Sequence, residues 1–85
     1  MKTFNYTIKD ELGIHVRPAG LLAKEGKKFT SNIIVSKGDK KSDIKKLMAV
    51  MAMGVKFGET ITVTFDGEDE ETAFVAIKDF LENNL

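Results

Sequence analysis

Several residue types are absent or nearly absent from this sequence. Its 85 residues include no cysteine and no tryptophan, and only one proline, one arginine and one histidine. The lack of cysteine excludes a disulfide framework, and one histidine cannot supply the roughly four ligands of a closed zinc site. No apolar run is long enough to cross a bilayer, and the N-terminal residues lack the apolar core of a signal peptide. We therefore expect a cytoplasmic protein without a metal, a cofactor or a membrane-inserted segment.

Length and composition predict one small domain over residues 1–85. Hydrophobic residues make up 42% of the chain and charged residues 31%, which is typical of a globular domain with a modest core. The chain contains no internal repeat, no linker and no low-complexity segment that would mark a boundary. A second domain is therefore not expected.

The net charge is zero, but the charges are unevenly distributed. Residues 24–56 carry nine lysines and three acidic residues, whereas residues 57–85 carry eight acidic residues and one lysine. A basic face that attracts an acidic protein partner would explain this pattern. A solvated, lysine-rich surface with no partner is the simpler alternative.

Hydrophobic periodicity predicts the element order β-α-β-β-α-β-α. Three properties predict strands: alternation of apolar and polar residues, enrichment in β-branched residues, and pairing across a hairpin turn. One or more of them is found in residues 2–8, 32–37, 40–43 and 60–65. Three stretches carry apolar residues at helical spacing: about 16–27, about 46–53 and from about 70 to the C-terminus. Gly38 predicts a hairpin turn, Gly54 the end of the second helix, and Asp69 the N-cap of the third. Hairpin strands with helices covering one face are typical of an α+β two-layer sandwich.

The only histidine lies in the most informative stretch of the chain, residues 12–20. Proline is favoured in the first turn of a helix, so Pro18 predicts a helix start with His15 at or just before it. The free N–H groups and dipole of a helix start attract anions, and the guanidinium of Arg17 can bind two phosphate oxygens. His15 is thus a candidate for phosphorylation, although a lone histidine at this position is more often a cap or a surface residue.

The predicted second helix is apolar on two sides. Val50 and Met53 are spaced to face the sheet. A second apolar face is made by four other residues: Leu47, Met48, Met51 and Ala52. Because a helix of a two-layer domain buries one face, we expect the second face to be exposed and to dock partners, for which flexible methionines are suited. The alternative is that all these residues pack in a thick core.

Together these segments resemble the HPr family, the histidine-containing phosphocarriers of the bacterial sugar phosphotransferase system. Residues 13–19, Gly-Ile-His-Val-Arg-Pro-Ala, are similar to the phosphorylation-site signature of that family. Residues 47–55 are similar to its second-helix segment, and residues 58–63 and 67–70 to the strand and helix start that follow. The resemblance covers the whole chain. It implies an open-faced β-sandwich, with a four-stranded antiparallel sheet of order 1-4-2-3 and three helices on one face.

The resemblance also implies a carrier rather than an enzyme. Enzyme I, charged by phosphoenolpyruvate, would pass a phosphoryl group to Nδ1 of His15, and the monomeric carrier would hand it to enzyme IIA domains of sugar permeases. The Arg17 side chain and the N–H groups of Val16 and Arg17 would bind the phosphate. The partner-binding surface implied by the resemblance comprises Gly20, Leu21, Lys24, Lys27, Lys45, Lys46, Leu47, Met48, Met51 and Ala52.

Two positions depart from the family pattern. Lys46 occupies the position where many members carry a regulatory serine, so regulation through that serine is not expected, and Ser42 does not match it by position. Leu12 stands where a small polar residue is common. A regulatory, nitrogen-type phosphorelay protein is the main alternative. A nucleic-acid-binding module is a remote one, because Arg17 is the only arginine and no aromatic residues are interleaved with the lysines.

Overall fold

In a computed structural model that describes residues 1–85, all the predicted elements are present in the predicted order. They are β1 (Lys2–Thr7), α1 (Val16–Gly26), β2 (Asn32–Lys37), β3 (Lys40–Asp43), α2 (Leu47–Ala52), β4 (Thr60–Asp66) and α3 (Glu70–Asn84). The strands form one antiparallel sheet in the order β1-β4-β2-β3. The α+β fold and its sheet order are thereby confirmed. None of the three helices combines the length and the hydropathy required to span a membrane.

Strand β4 shows how alternation divides the sheet into two faces. Ile61, Val63 and Phe65 are buried on its inner face, whereas the threonines between them remain at least partly exposed. Val63 lies opposite Phe4 of β1 and opposite a buried valine of β2, so the inner face continues across the strands. The opposite face of the sheet is polar and open. The helices therefore pack on the inner face, because only that face of the sheet is apolar.

The helices complete a single core with this inner face. In α3, Ala73, Ile77 and Leu81 follow one another at intervals of four residues and are fully buried. In α1, Ala19 and Leu22 are buried in the same cluster. Helix α1 contacts both α2 and α3, and α3 contacts β1 and β4. Packing across the core thus fixes the position of α1, the helix that begins at the histidine.

Two glycines end elements where the sequence predicts it. Gly38 has a φ of +61° in the hairpin between β2 and β3, while Asp39 has a negative φ, which is the pattern of a type II′ turn. Gly54 has a φ of +63° just after α2, and its N–H donates to the carbonyl oxygen of Met51 at 3.1 Å. A glycine at this position ends a helix without steric cost.

Asp69 occupies the N-cap position of α3, but its side chain does not cap the helix. Its carboxylate instead accepts the backbone N–H groups of Thr30 and Ser31, each at 2.9 Å, and the Ser31 hydroxyl. The predicted N-cap position is therefore confirmed, but the expected capping hydrogen bond is absent, because donors almost forty residues away bind the same oxygens. The Ser31 hydroxyl and the Thr30 N–H, which bond the charged form, lower the pKa of Asp69 below its usual value.

Replacing Asp69 by Asn should lower the free energy of unfolding at neutral pH, because these donors bind a carboxylate more strongly than an amide. The folded-state pKa is lowered, so the carboxylate's contribution is complete above the unfolded-state pKa of about 3.9. It is lost as the pH falls through the lower folded-state pKa. Urea denaturation of both proteins, from neutral pH down to below the folded-state pKa, measures the difference in their free energies of unfolding. This difference should become smaller in acid. A difference independent of pH would contradict the prediction.

Candidate functional site

His15 is the N-cap residue of α1 and directly precedes its first residue, Val16. Its backbone is extended, with φ −110° and ψ −178°, and its imidazole makes no capping hydrogen bond. Pro18 is buried in the first turn of the helix, as predicted, where a missing N–H has no consequence. The imidazole is therefore held at the helix start without being committed to a structural bond.

The loop before His15 is fixed by an unusually close backbone contact. Gly13 has a φ of +69°, and a Cβ placed on it would lie only 2.4 Å from the carbonyl oxygen of Val55. The N–H of Ile14 donates to that same oxygen at 3.0 Å, and the Ile14 side chain is buried. Only glycine tolerates both this backbone conformation and this approach. The loop that carries His15 is thus anchored to the loop that follows α2.

Two backbone N–H groups at the start of α1 have no acceptor within the protein. Val16 and Arg17 donate no hydrogen bond, Pro18 has no N–H, and Ala19 is the first residue of the helix to bond, to the His15 carbonyl at 3.0 Å. The side chain of Arg17 is exposed and free of any ion pair. Unpaired N–H groups, the positive end of the helix dipole and a free guanidinium together make a binding site for an anion.

His15 and Arg17 line one cleft of about 260 Å³. The His15 side chain is 32% exposed, so a protein partner can reach it. The rest of the cleft is formed by Asp10, Pro18, Leu21, Asn83 and Asn84. Sequence reasoning missed three of these residues, Asp10, Asn83 and Asn84. The two asparagines reach the site only because the end of α3 packs beside the start of α1, which no local pattern reveals.

Most residues of the predicted partner-binding surface are accessible on α1 and α2, which pack against each other. Six of them are exposed: Leu21, Lys24, Lys27, Lys46, Met48 and Ala52. Gly20 is half-buried, and apart from its own stretch of helix no part of the protein lies within 4 Å of the point where its Cβ would be. Helix α1 therefore has an open strip beside Leu21 at the edge of the cleft.

The second apolar face of α2 is only partly exposed, which corrects the prediction. Met48 is 75% exposed, but Leu47 and Met51 are half-buried and pack against the core. Helix geometry explains the difference. Leu47 and Met51 lie about 60° and about 100° around the axis from the buried Val50, whereas Met48 and Ala52 lie about 160° from it. Val50 and Met53 are buried, as predicted.

Lys45 makes internal contacts that the sequence did not predict. Its half-buried ammonium group donates to the carbonyl oxygens of Phe29 and Ser31, at 3.0 Å and 3.1 Å. These bonds tie the segment before α2 to the connection between α1 and β2. Its contribution to partner binding stays a prediction.

Residues 2–83 match the family model described as "PTS HPr component phosphorylation site". The chain belongs to the HPr family. It is 46% identical over 78 residues to the phosphocarrier protein HPr of Mycoplasma capricolum subsp. capricolum, covering 92% of this chain and 88% of that protein. The family identified from the motifs is thereby confirmed, and with it the assignment to the phosphocarriers of the phosphotransferase system.

Solved structures of the family agree with this fold. A mycoplasma histidine-containing phosphocarrier protein superimposes with a TM-score of 0.94 at 43% identity, covering 96% of this chain and 93% of that chain. HPr of Thermoanaerobacter tengcongensis superimposes with a TM-score of 0.92 at 38% identity, covering 98% of this chain and 93% of that chain.

Glutamate substitutions should separate the exposed from the packed part of α2. Met48→Glu should change the free energy of unfolding by less than about 0.5 kcal/mol, because the side chain is in water. Met51→Glu should cost about 1–3 kcal/mol, because it places a carboxylate against the core. Urea denaturation of both variants measures these values. Equal effects would show that the two side chains share one environment.

Proposed function

We propose that the chain accepts a phosphoryl group on His15 from phosphorylated enzyme I, whose own donor is phosphoenolpyruvate. The carrier then transfers the group to enzyme IIA domains of sugar permeases. Membership of the HPr family supports the carrier role. The assignment of the site rests on one observation: the chain's single histidine lies at a helix start whose N–H groups and neighbouring Arg17 are unpaired.

The orientation of the imidazole favours Nδ1 as the acceptor atom. Nε2 is directed to Asp10, at 3.6 Å from its carboxylate, so Nδ1 is the nitrogen left for the phosphoryl group. In-line transfer between two histidines depends mainly on positioning and on stabilisation of the phosphoryl oxygens. The N–H groups of Val16 and Arg17 and the Arg17 guanidinium supply that stabilisation.

A carrier must release the phosphoryl group as readily as it accepts it, so the site should stabilise that group only moderately. The cleft is open, and one arginine is present rather than several. An exposed helix dipole stabilises an anion by roughly 0.3–1 kcal/mol. A buried site with several arginines would hold the phosphoryl group too tightly for onward transfer.

Docking is assigned to the exposed part of α1 and α2. Met48 and Leu21 supply apolar contact area, and the exposed lysines Lys24, Lys27 and Lys46 attract acidic surfaces. Successive partners bind the same surface of a monomeric carrier, because each must bring its own histidine to His15. A flexible methionine on that surface suits partners of different shape.

The intact protein should gain the mass of one phosphoryl group after incubation with phosphoenolpyruvate and a bacterial enzyme I. The added group should be labile to acid, as expected of a phosphohistidine. His15→Ala should gain no mass yet melt like the wild type, because the imidazole makes no hydrogen bond. Mass spectrometry and circular dichroism measure both results. Phosphorylation of the His15→Ala protein, or none of the wild type by an enzyme I active on a control carrier, would refute the proposal.

Met48→Glu should raise the carrier concentration needed for half-maximal transfer about tenfold, because it places a charge in the apolar docking contact. Val75→Glu is the matched control: Val75 is 58% exposed and lies on α3, outside the proposed surface. Phosphoryl transfer from enzyme I, followed at varied carrier concentration, gives both values. If the two variants behaved alike, Met48 would have no special part in docking.

A further inference from the structure

The turn before His15 directs a carboxylate at the imidazole. Oδ2 of Asp10 lies 3.6 Å from Nε2 of His15, and no other carboxylate lies within ion-pair distance of the ring. The separation exceeds that of a hydrogen bond, in which nitrogen and oxygen lie about 2.9 Å apart. Contacts between reacting groups are often long in a free site and shorten when the reaction partner binds.

Asp10 is held firmly in this orientation. Its N–H donates to the main-chain oxygen of Leu85 at 2.8 Å, and its carbonyl oxygen accepts the N–H of Gly13 at 2.9 Å. Its Oδ1 accepts the N–H of Leu12 at 2.8 Å, which forms the turn. The turn uses only one carboxylate oxygen. The other oxygen, Oδ2, is left facing the histidine.

We propose that Asp10 is a positioning residue that keeps the His15 proton on Nε2, so that Nδ1 carries the lone pair that attacks phosphorus. The inference rests on the proposed function, since it assigns the proton of the same histidine. A negative charge beside Nε2 favours the tautomer that bears its proton there. None of the other side chains that line the cleft carries a negative charge: Arg17 is a cation, and Asn83 and Asn84 at the end of α3 are neutral amides.

The transfer step balances with this proton in place. The lone pair of Nδ1 forms the Nδ1–P bond while the bond between phosphorus and the donor nitrogen breaks, and the donor nitrogen keeps that electron pair. The proton stays on Nε2, and the ring becomes positively charged opposite the Asp10 carboxylate. Onward transfer reverses these changes and returns a neutral imidazole. Asp10 thereby stabilises the charged ring in both directions without exchanging a proton.

The tautomer of His15 tests the proposal directly and requires no phosphorylation. Asp10→Asn removes the charge but keeps an oxygen to accept the Leu12 N–H, so the turn is retained. Glu11→Gln is the matched control, because it removes one negative charge from the adjacent, exposed position of the same loop. Long-range proton–nitrogen NMR at about pH 8.5, where an ordinary imidazole is neutral, gives the ratio of the two tautomers.

In the wild type and in Glu11→Gln the Nε2–H tautomer should predominate, and in Asp10→Asn its ratio to the other tautomer should fall. Two unit charges about 4 Å apart in water interact with about 1 kcal/mol, which is about a fivefold effect, and the change in the ratio should be smaller because the ring is neutral at this pH. The rate of phosphoryl transfer from enzyme I should fall by up to about fivefold in Asp10→Asn alone, because the ring is positively charged during transfer. An unchanged tautomer ratio in Asp10→Asn would overturn the role of Asp10.

The two readouts separate this proposal from the function on which it rests. If the wild type is not phosphorylated while the tautomer ratio shifts as expected, the carrier function fails and the proton assignment stands. If the wild type is phosphorylated and Asp10→Asn transfers at the wild-type rate with the wild-type tautomer ratio, the function stands and the proton assignment fails.

Discussion

The approach of Gly13 to the carbonyl oxygen of Val55 is the contact on which the functional surface depends. It joins the loop that carries His15 to the loop that follows α2, and its geometry leaves no room for a side chain at position 13. The two parts of the surface, the imidazole at the start of α1 and the exposed residues of α2, thus occupy fixed relative positions. In the proposed function, a partner docked on Met48 would therefore meet His15 at a set distance and orientation, which is the main requirement of phosphoryl transfer between proteins.

Some polar groups of the protein stabilise the fold, whereas others are left unpaired near His15. Asp69 and Lys45 both bind the connection between α1 and β2. Asp69 contacts Ser31 from the N-cap of α3, and Lys45 contacts it from the segment before α2. Arg17 and the N–H groups beside it make no internal bond. The fold therefore keeps its anion-binding groups available and uses other polar groups for stability. Such a division suits a protein that must bind a phosphoryl group without retaining it.

Local sequence patterns predicted the helices and strands well, because these patterns depend only on residues that are close together in the chain. Alternation in β4 requires only that one face be buried, and Gly54 ends α2 through its own backbone freedom. Predictions that depended on distant partners fared worse. The Asp69 carboxylate accepts a hydrogen bond from Ser31 instead of capping α3. Leu47 and Met51 are half-buried because the sides of the six-residue helix α2, as well as the face centred on Val50, contact the core. Asp10 was not recognised, since its relation to His15 depends on the path of a turn.

The element order, the inner face of the sheet and the family could be predicted from the sequence, because periodicity and motif spacing are properties of neighbouring residues. It also marked His15 and Arg17, since proline fixes the start of a helix locally. The packing of the elements determines which oxygen faces Nε2 of His15, which lysines are free of internal contacts and which residues of α2 are exposed. Those outcomes depend on competition among groups from different elements for the same donors and the same space, and that competition is settled only when the elements pack together.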